Sequence, residues 1–252
     1  MIGRRHARPG LVLVLVGLPG ACRTPEGPPY FEIVASRPPA RTLSATELWP
    51  SREGEQTFLI VKGAEVTGEI VRRQGPADRF SADWVVVEPE VREQFYAIDG
   101  DGDGDIVLRA VIEHGDRAIS LFSPPLLSMP AVLEPGAPRT TDVAMRVVHR
   151  DDPRRERERG RAVQTVEYAA DCRVRIGEDE FEVARIELIL EADLRLADVR
   201  RVASMFIIPG QGLIAEQYEQ TTRILGLATT MERRVMVIAP PPAPPPSVVV
   251  RP

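Results

Sequence analysis

The sequence predicts a mainly β protein, in which a large curved antiparallel sheet forms a half-barrel, barrel or sandwich with at most one or two short helices. Three observations predict this class. Apolar and polar residues alternate with a period of two in one segment after another. β-Branched and aromatic residues are frequent in these segments. Short glycine-containing turns, and not long amphipathic helices, separate them.

The N-terminus has the pattern of a bacterial secretory signal. Three arginines precede an apolar run at residues 11–18, which is too short for a bilayer core that takes about 20 helical residues. Gly20, Ala21 and Cys22 resemble the end of a lipobox, which implies cleavage after residue 21 and lipidation of Cys22. Leu18 lies four residues before this cysteine where three are usual, so ordinary secretion with an incidental cysteine stays open. Acyl chains on Cys22 would hold the protein on a membrane.

The mature chain is acidic. Removal of residues 1–21 takes away three arginines and no acid, so the formal net charge moves from −5 to −8. Nucleic acids and anionic lipid headgroups require clustered cations, so neither is expected as a partner. We expect a location in the bacterial cell envelope, lipid-anchored and facing the periplasm. Arg23 occupies the position at which aspartate retains enteric lipoproteins in the inner membrane, which favours the outer membrane.

Proline-rich segments flank the strand-rich region on both sides. Residues 22–42 are predicted to be a tether, because proline-rich chains extend at about 3.1 Å per residue. Residues 239–252 are predicted to be a low-complexity tail. Between them, residues 43–238 are predicted to form the β domain, with two β sub-units and a boundary near residues 124–138 as an alternative.

The predicted strands follow one another through this domain. They are TFLIVKG, EIVRRQ, DWVVVE, EQFYAI, DIVLRAVIE, AISLFS, VAMRVV, AVQTVEYA, CRVRI, FEVARIELIL, SMFIIPG and RRVMVIA. In CRVRI, the residues Cys172, Val174 and Ile176 share one face and two arginines share the other, which is the period of a strand with one solvated side.

Two segments are candidate helices, and one charged stretch is a candidate loop. Ser44 and Glu47 in SATELW have capping-box spacing, which predicts a helix start. Residues 191–202 have a roughly helical apolar spacing, although a turn or a bent strand pair fits them equally well. Residues 151–161 alternate arginine and glutamate, which favours a solvated hairpin tip whose exposed charge pairs contribute little each.

The C-terminal half resembles a loose class of bacterial envelope lipoproteins over residues 160–238. In that class a strand after a glycine-phenylalanine pattern leads to a strand that ends in a proline-glycine-x-glycine-leucine turn. Gly177 and Phe181 correspond to the first part, and IIPGQGLIAEQ at residues 207–217 corresponds to the second. The class is similar in turn to all-β half-barrels of the LolA and LolB lipoprotein-carrier type. The resemblance implies a β fold and an envelope location, but not the carrier activity.

The stretch IDGDGDGDIVL places four aspartates at alternate positions: Asp99, Asp101, Asp103 and Asp105. From Asp99 onward the spacing matches an EF-hand-type calcium loop, except that its twelfth position is Ala110 where a bidentate glutamate is needed. Asp-Gly is also a preferred dipeptide of hairpin turns. The pattern therefore predicts either an extended acidic turn between two strands or a structural calcium site.

Motifs of catalysis are absent from the sequence, which contains neither G-x-S-x-G nor H-E-x-x-H. The mature chain has only His114 and His149, and both are expected at the surface. Cys172 lies on the apolar face of its strand, where a buried, neutral thiol is expected. We therefore expect a protein that is not an enzyme and that has no cofactor apart from the calcium considered above.

Two hypotheses of function remain, with a calcium-stabilised β domain as a further alternative. In the first, the chain is a non-catalytic envelope lipoprotein that serves as a scaffold or contacts another envelope protein. In the second, it is a carrier or sensor that holds a lipid or another apolar ligand, since barrels of about eight strands have room for one small ligand. A carrier needs a cavity with an apolar lining, whereas a scaffold fills its interior with interdigitating side chains.

Overall fold

The computed structural model describes residues 28–49, 53–99, 104–226 and 228–240, and 75% of them lie in strands. Twelve antiparallel strands form a closed barrel, and the described residues contain no helix of seven residues or more. The prediction of a mainly β fold with a curved antiparallel sheet is confirmed, and of the three predicted forms the molecule adopts the barrel. None of the helices in the described ranges is long and apolar enough to cross a membrane.

The elements follow one another in chain order. They are β1 Phe31–Arg37, β2 Leu43–Ser44, α1 Ala45–Leu48, β3 Gly54–Lys62, β4 Glu65–Pro76, β5 Trp84–Glu88, β6 Arg92–Asp99, β7 Asp105–Glu113, β8 Ala118–Met129, β9 Val132–Leu133, β10 Arg139–His149, β11 Asp152–Ile176, β12 Asp179–Leu194, β13 Ala197–Ile208, β14 Gly212–Ile224 and β15 Ala228–Ile238.

One long-range pairing between strands closes the barrel. Around the wall the order is β11, β10, β8, β7, β6, β5, β4, β3, β15, β14, β13 and β12, and β12 pairs again with β11. Most neighbours in this order are also neighbours in the chain, so hairpins build most of the wall. The pairing of β15 with β3, in which Val235 lies opposite Val61, joins the first and the last strand of the barrel wall in chain order. Strands β2 and β9 form a separate two-stranded sheet.

A strand lies within the segment predicted to be a tether. Strand β1 pairs with the C-terminal part of β11, so that Phe31 lies opposite Ile176. The N–H of Gly177 donates to the carbonyl of Tyr30, and the N–H of Tyr30 donates to the carbonyl of Gly63, both at 2.8 Å. The described part of residues 22–42 is therefore tied to the barrel, because its apolar patch completes a sheet edge.

The charged stretch at residues 151–161 begins at the tip of the β10–β11 hairpin, but from Asp152 onward it is a strand, so only its prediction as a loop is wrong. The turn lies at residues 150–151, and the stretch from Asp152 onward begins the 25-residue strand β11. Its charges pair along the sheet surface, since Glu156 accepts hydrogen bonds from Arg146 at 2.9 Å and from Arg159 at 3.0 Å. Pairing with β10 overrides the local polarity of the sequence.

The sheet also determines the arrangement of residues 124–138 and of residues 191–202. Strands on both sides of residues 124–138 belong to the same sheet, so the described chain is not divided into two β sub-units there.

Residues 191–202 contain the end of β12, a turn at residues 195–196 and the start of β13. This second segment is therefore a bent strand pair and not a helix.

A short segment closes one end of the barrel. Ser44 caps α1, whose Glu47 accepts a hydrogen bond from the Ser44 N–H at 2.9 Å, so the predicted capping box is present. Leu48 is 1% exposed and packs with the apolar side chains of the barrel interior. Trp49 lies 5.0 Å from Tyr96 between ring centroids. The carbonyl of Glu47 accepts a hydrogen bond from the N–H of Gly210 in the β13–β14 turn.

Two further apolar clusters lie on the outer face of the wall. Phe206 stands between Met205 and Ile207, which face the interior, so alternation along β13 turns it outward. There it meets Phe31 of β1 at a centroid distance of 5.0 Å. On another part of the wall, Phe95 packs against Phe80 of the β4–β5 connection. The outside of the barrel is thus partly covered by chain, and its interior forms a separate compartment.

Candidate functional site

The barrel lumen contains a cavity of about 910 Å³. Part of its lining is apolar and belongs to the interior cluster that continues from α1; it includes Trp49, Leu126, Met145, Leu188, Leu190 and Met205. Another part consists of glutamine, glutamate and arginine side chains. Ligand sites in proteins are typically cavities of about 300–1,000 Å³ with mostly apolar walls and a few placed polar groups. The lumen matches this description in volume and in lining.

An ion-pair network crosses the interior. Arg72 of β4 donates through Nε to Oε1 of Glu88 and through Nη2 to Oε2 of Glu216, each at 2.7 Å. Glu88 also accepts a bond from Nη2 of Arg92 at 3.1 Å. Glu216 also accepts a bond from Nη2 of Arg201 at 2.9 Å. Five strands, β4, β5, β6, β13 and β14, therefore contribute one charged side chain each.

The network is buried, so its charges depend on one another. Burial raises the pKa of Glu216, but the guanidinium groups of Arg72, Arg201 and Arg92 outweigh it and lower that pKa to about 2. Burial likewise opposes the charge of Arg72, and the carboxylates of Glu216 and Glu88 outweigh it, so the pKa of Arg72 is raised. Removal of one partner from such a pair leaves the other charge buried and uncompensated.

Among the three arginines of this network, only Arg201 has a lowered pKa. Burial lowers the pKa of Arg201, and the guanidinium of Arg92 lowers it further, while Glu216 compensates only in part. Arg201 lies over the ring of Tyr218 at 4.4 Å from the centroid, and Arg234 lies 5.4 Å from the same centroid. Contacts of a cation with an aromatic face fix orientation and contribute about 0.5–2 kcal/mol. Tyr218 therefore holds Arg201 against the lumen wall.

Glu113 is a further acid on the lumen wall. It lies opposite Arg92 in the β6–β7 pair and lines the cavity. Burial raises the pKa of Glu113, although Arg92 and Arg201 act in the other direction. Within the described ranges no cationic nitrogen lies within ion-pair distance of its carboxylate. Its charge is therefore less well compensated than the charge of Glu216.

The predicted aspartate site is described only in part. Asp99 ends β6 and lies opposite Asp105, which begins β7, so the stretch connects two antiparallel strands. Oδ1 of Asp105 accepts the N–H of Ala131 at 2.7 Å, and its Oδ2 lies 3.4 Å from Nη2 of Arg139. Asp101 and Asp103 lie outside the described residues. In the described ranges, no three His, Cys, Asp or Glu side chains are grouped so that they could hold a metal ion.

Three further residues singled out from the sequence, Cys172, His114 and His149, do not line the lumen cavity. Cys22 is outside the described residues. Cys172 is buried in the outer cluster with Val174, and its Sγ lies 3.6 Å from Oγ of Ser36. His114 is half-buried on the β7–β8 turn, where Nε2 lies 3.3 Å from Oε1 of Glu93.

Sequence reasoning did not identify the charged residues of the lumen. A signal for them exists, because a period of two places Arg201 on the same face of β13 as Ala203 and Met205. Trp84, Val86 and Glu88 form the same kind of series on β5. A charged residue that continues an otherwise apolar strand face indicates a buried polar network or a binding site.

The chain has no significant match among protein-family models, curated proteins or solved structures.

Proposed function

We propose that this chain is a non-catalytic lipoprotein of the bacterial cell envelope that holds an apolar or amphipathic ligand in its barrel. The single observation that carries this proposal is the lumen cavity of about 910 Å³. A barrel that served only as a scaffold would gain stability by filling this space, since each void in a core forfeits dispersion contacts. The cavity therefore favours the carrier or sensor hypothesis over scaffolding.

The construction of the wall supports a ligand site. The lumen is closed to the side by twelve paired strands and is covered at one end by α1 and Trp49. Apolar side chains such as Leu188 and Met205 line one part of it, and the arginine network lines another. An amphipathic molecule presents the same two kinds of surface. When such a molecule binds, its apolar chain lies against the apolar wall, and its polar end lies near the hydrogen-bonding groups.

The cellular part of the proposal depends on the N-terminal sequence alone. The basic start, the short apolar run and Cys22 support export and lipidation, and Arg23 supports the outer membrane. A lipid-anchored barrel in the periplasm meets free and membrane-derived amphiphiles at the surface to which it is attached. Palmitate labelling of the full-length protein in a bacterial host tests this part, with Cys22→Ala as the unlabelled control.

Native mass spectrometry tests the ligand. The domain is expressed for export without its lipid anchor, purified without detergent, and measured intact and after denaturation. We expect the native mass to exceed the denatured mass by a discrete amount that organic extraction recovers as an apolar or amphipathic compound. Identical native and denatured masses, from cells and after incubation with a lipid extract, would favour the scaffold.

A further inference from the structure

Two arginines of the lumen keep hydrogen-bonding capacity that the described residues do not use. The Arg92 side chain is 10% exposed, and its Nη2 bonds to Glu88. Its Nε is buried and has no hydrogen-bond partner among the described residues. Arg201 makes a single ion pair within the described ranges, from Nη2 to Glu216. Both side chains line the cavity, and 10% of Arg92 and 19% of Arg201 remain exposed. Guanidinium N–H groups other than the buried Nε of Arg92 therefore border the space in which a ligand would lie.

The direct ion pairs of this layer leave one positive charge without a carboxylate of its own, and the nearby Glu113 forms no ion pair within the described ranges. Arg72, Arg92 and Arg201 carry three positive charges, whereas their ion-pair partners Glu88 and Glu216 carry two negative ones. The excess positive charge is located at Arg201, whose pKa is lowered by burial and by repulsion from Arg92. A buried charge without full compensation is costly, and a bound anion removes that cost.

We propose that Arg92 and Arg201 bind the anionic head group of an amphiphile whose apolar chain lies along the apolar part of the lumen. This inference rests on the proposed ligand-binding function and gives the ligand its chemical class, a carboxylate with an apolar chain. Guanidinium groups match a carboxylate in shape and bind it through paired, charge-assisted hydrogen bonds. The apolar wall at Leu188, Leu190 and Met205 then contacts the chain.

The carboxylate of Glu113 should weaken the binding of an anionic ligand in the lumen. It faces Arg92 across the β6–β7 pair without forming an ion pair to it within the described ranges. A ligand carboxylate near Arg92 would be repelled by the Glu113 carboxylate. Replacement of Glu113 by glutamine removes this repulsion and keeps the size of the side chain. The variant should therefore bind an anionic amphiphile more tightly than the wild type does.

Calorimetric titration of the delipidated, anchor-free protein tests the head-group preference. The probes are decanoate, decanol and decylamine, which share one chain length and differ in charge. We expect decanoate to bind at least about tenfold more tightly than decanol, as one or two charge-assisted hydrogen bonds would give. Equal binding of all three would overturn the head-group proposal and leave the ligand-binding function standing. Tighter binding of decylamine would also overturn the head-group proposal. If none of the three probes binds, the head-group proposal and the ligand-binding function are both contradicted.

Three variants locate the preference. Arg201→Met should reduce decanoate affinity to that of decanol, while Arg72 continues to compensate Glu216. Arg234→Met is the matched control, because Arg234 lines the same cavity and faces the same Tyr218 ring, but it pairs with Glu232 and is not part of the ion-pair network around Glu216. Glu113→Gln should strengthen decanoate binding and leave decanol binding unchanged. Retention of the decanoate preference in a folded Arg201→Met protein, or its loss in Arg234→Met, would contradict the assignment.

Discussion

Nη2 of Arg72 lies 2.7 Å from Oε2 of Glu216 and joins β4 to β14, two strands that are separated in the wall by β3 and β15. The Arg72 side chain is 13% exposed and that of Glu216 7%, so the pair lies in the interior of the barrel. The ion pair therefore links β4 and β14 across the β3–β15 pairing that closes the barrel. Several of the expected properties of the molecule follow from this pair.

Loss of Arg72 should destabilise the fold strongly. Arg72→Met leaves Glu88 and Glu216 with fewer cations in a buried setting, and breaking such a pair costs about 3–5 kcal/mol. Arg73→Met is the matched control, because Arg73 is the next residue of β4 and pairs with Glu55 at the surface, where an ion pair contributes about 0–1 kcal/mol. Urea unfolding of both variants measures the difference. A similar free energy of unfolding for the two variants would contradict the structural role of the network.

Acid should destabilise the protein through Glu216. The pKa of this carboxyl is about 2 in the folded protein, and an unfolded glutamate has a pKa of about 4.3. A carboxyl whose pKa falls on folding stabilises the native state fully above the unfolded pKa. That contribution is lost as the pH drops from about 4.3 toward about 2. The free energy of unfolding should therefore fall over this range, and Glu216→Gln should have a lower stability at neutral pH with a flatter acid limb.

The segment that covers one end of the barrel should contribute to stability through Leu48. This side chain is 1% exposed in the interior cluster, and truncation of a buried leucine to alanine costs about 2–5 kcal/mol. Val132→Ala on β9 is the control, since Val132 is 51% exposed. Thermal melting of Leu48→Ala and of this control provides the measurement. Equal melting temperatures would show that α1 is only loosely attached to the barrel.

The aspartate stretch should act as a turn and not as a calcium site. Asp105 already uses one carboxylate oxygen for the N–H of Ala131, which fixes the start of β7. We expect the melting temperature of the protein to be the same in millimolar calcium and in a chelator. Asp105→Ala should lower it, because the Ala131 N–H loses its acceptor. A calcium-dependent rise in melting temperature that Asp99→Asn abolishes would support the calcium site instead.

Local patterns were sufficient to predict most of the strands but not their closure into a barrel. Alternation in Cys172, Val174 and Ile176 correctly gives one buried face, because side-chain direction in a strand depends only on sequence spacing. The pairing of Val61 with Val235 depends on residues far apart in the sequence, and no local pattern specifies it. In strand β11, alternating arginines and glutamates give no apolar strand face at the start of the element. This part of β11 is nevertheless a strand, because it pairs with β10.

The candidate site was missed for a related reason. Strand β14 is absent from the predicted strands because Glu216, Gln220 and Thr222 point into the lumen and disrupt the usual apolar face. Alternation says which residues share a face, but it does not say that this face surrounds a cavity. Only the closed sheet brings Arg72 and Glu216 together, across 144 positions in the sequence. The arginines of the lumen could therefore be placed on a face from the sequence, but not assigned to a binding site.

A dye titration of two adjacent variants tests most directly whether the lumen binds an apolar or amphipathic molecule. Ala203 lines the cavity, whereas Ser204 lies next to it on the opposite face of β13. With the environment-sensitive apolar dye N-phenylnaphthylamine, we predict saturable fluorescence enhancement for the wild type and for Ser204→Trp, and none for Ala203→Trp, whose indole fills the lumen. Undiminished dye binding by a folded Ala203→Trp protein, or no binding by the wild type, would contradict a ligand site inside the barrel.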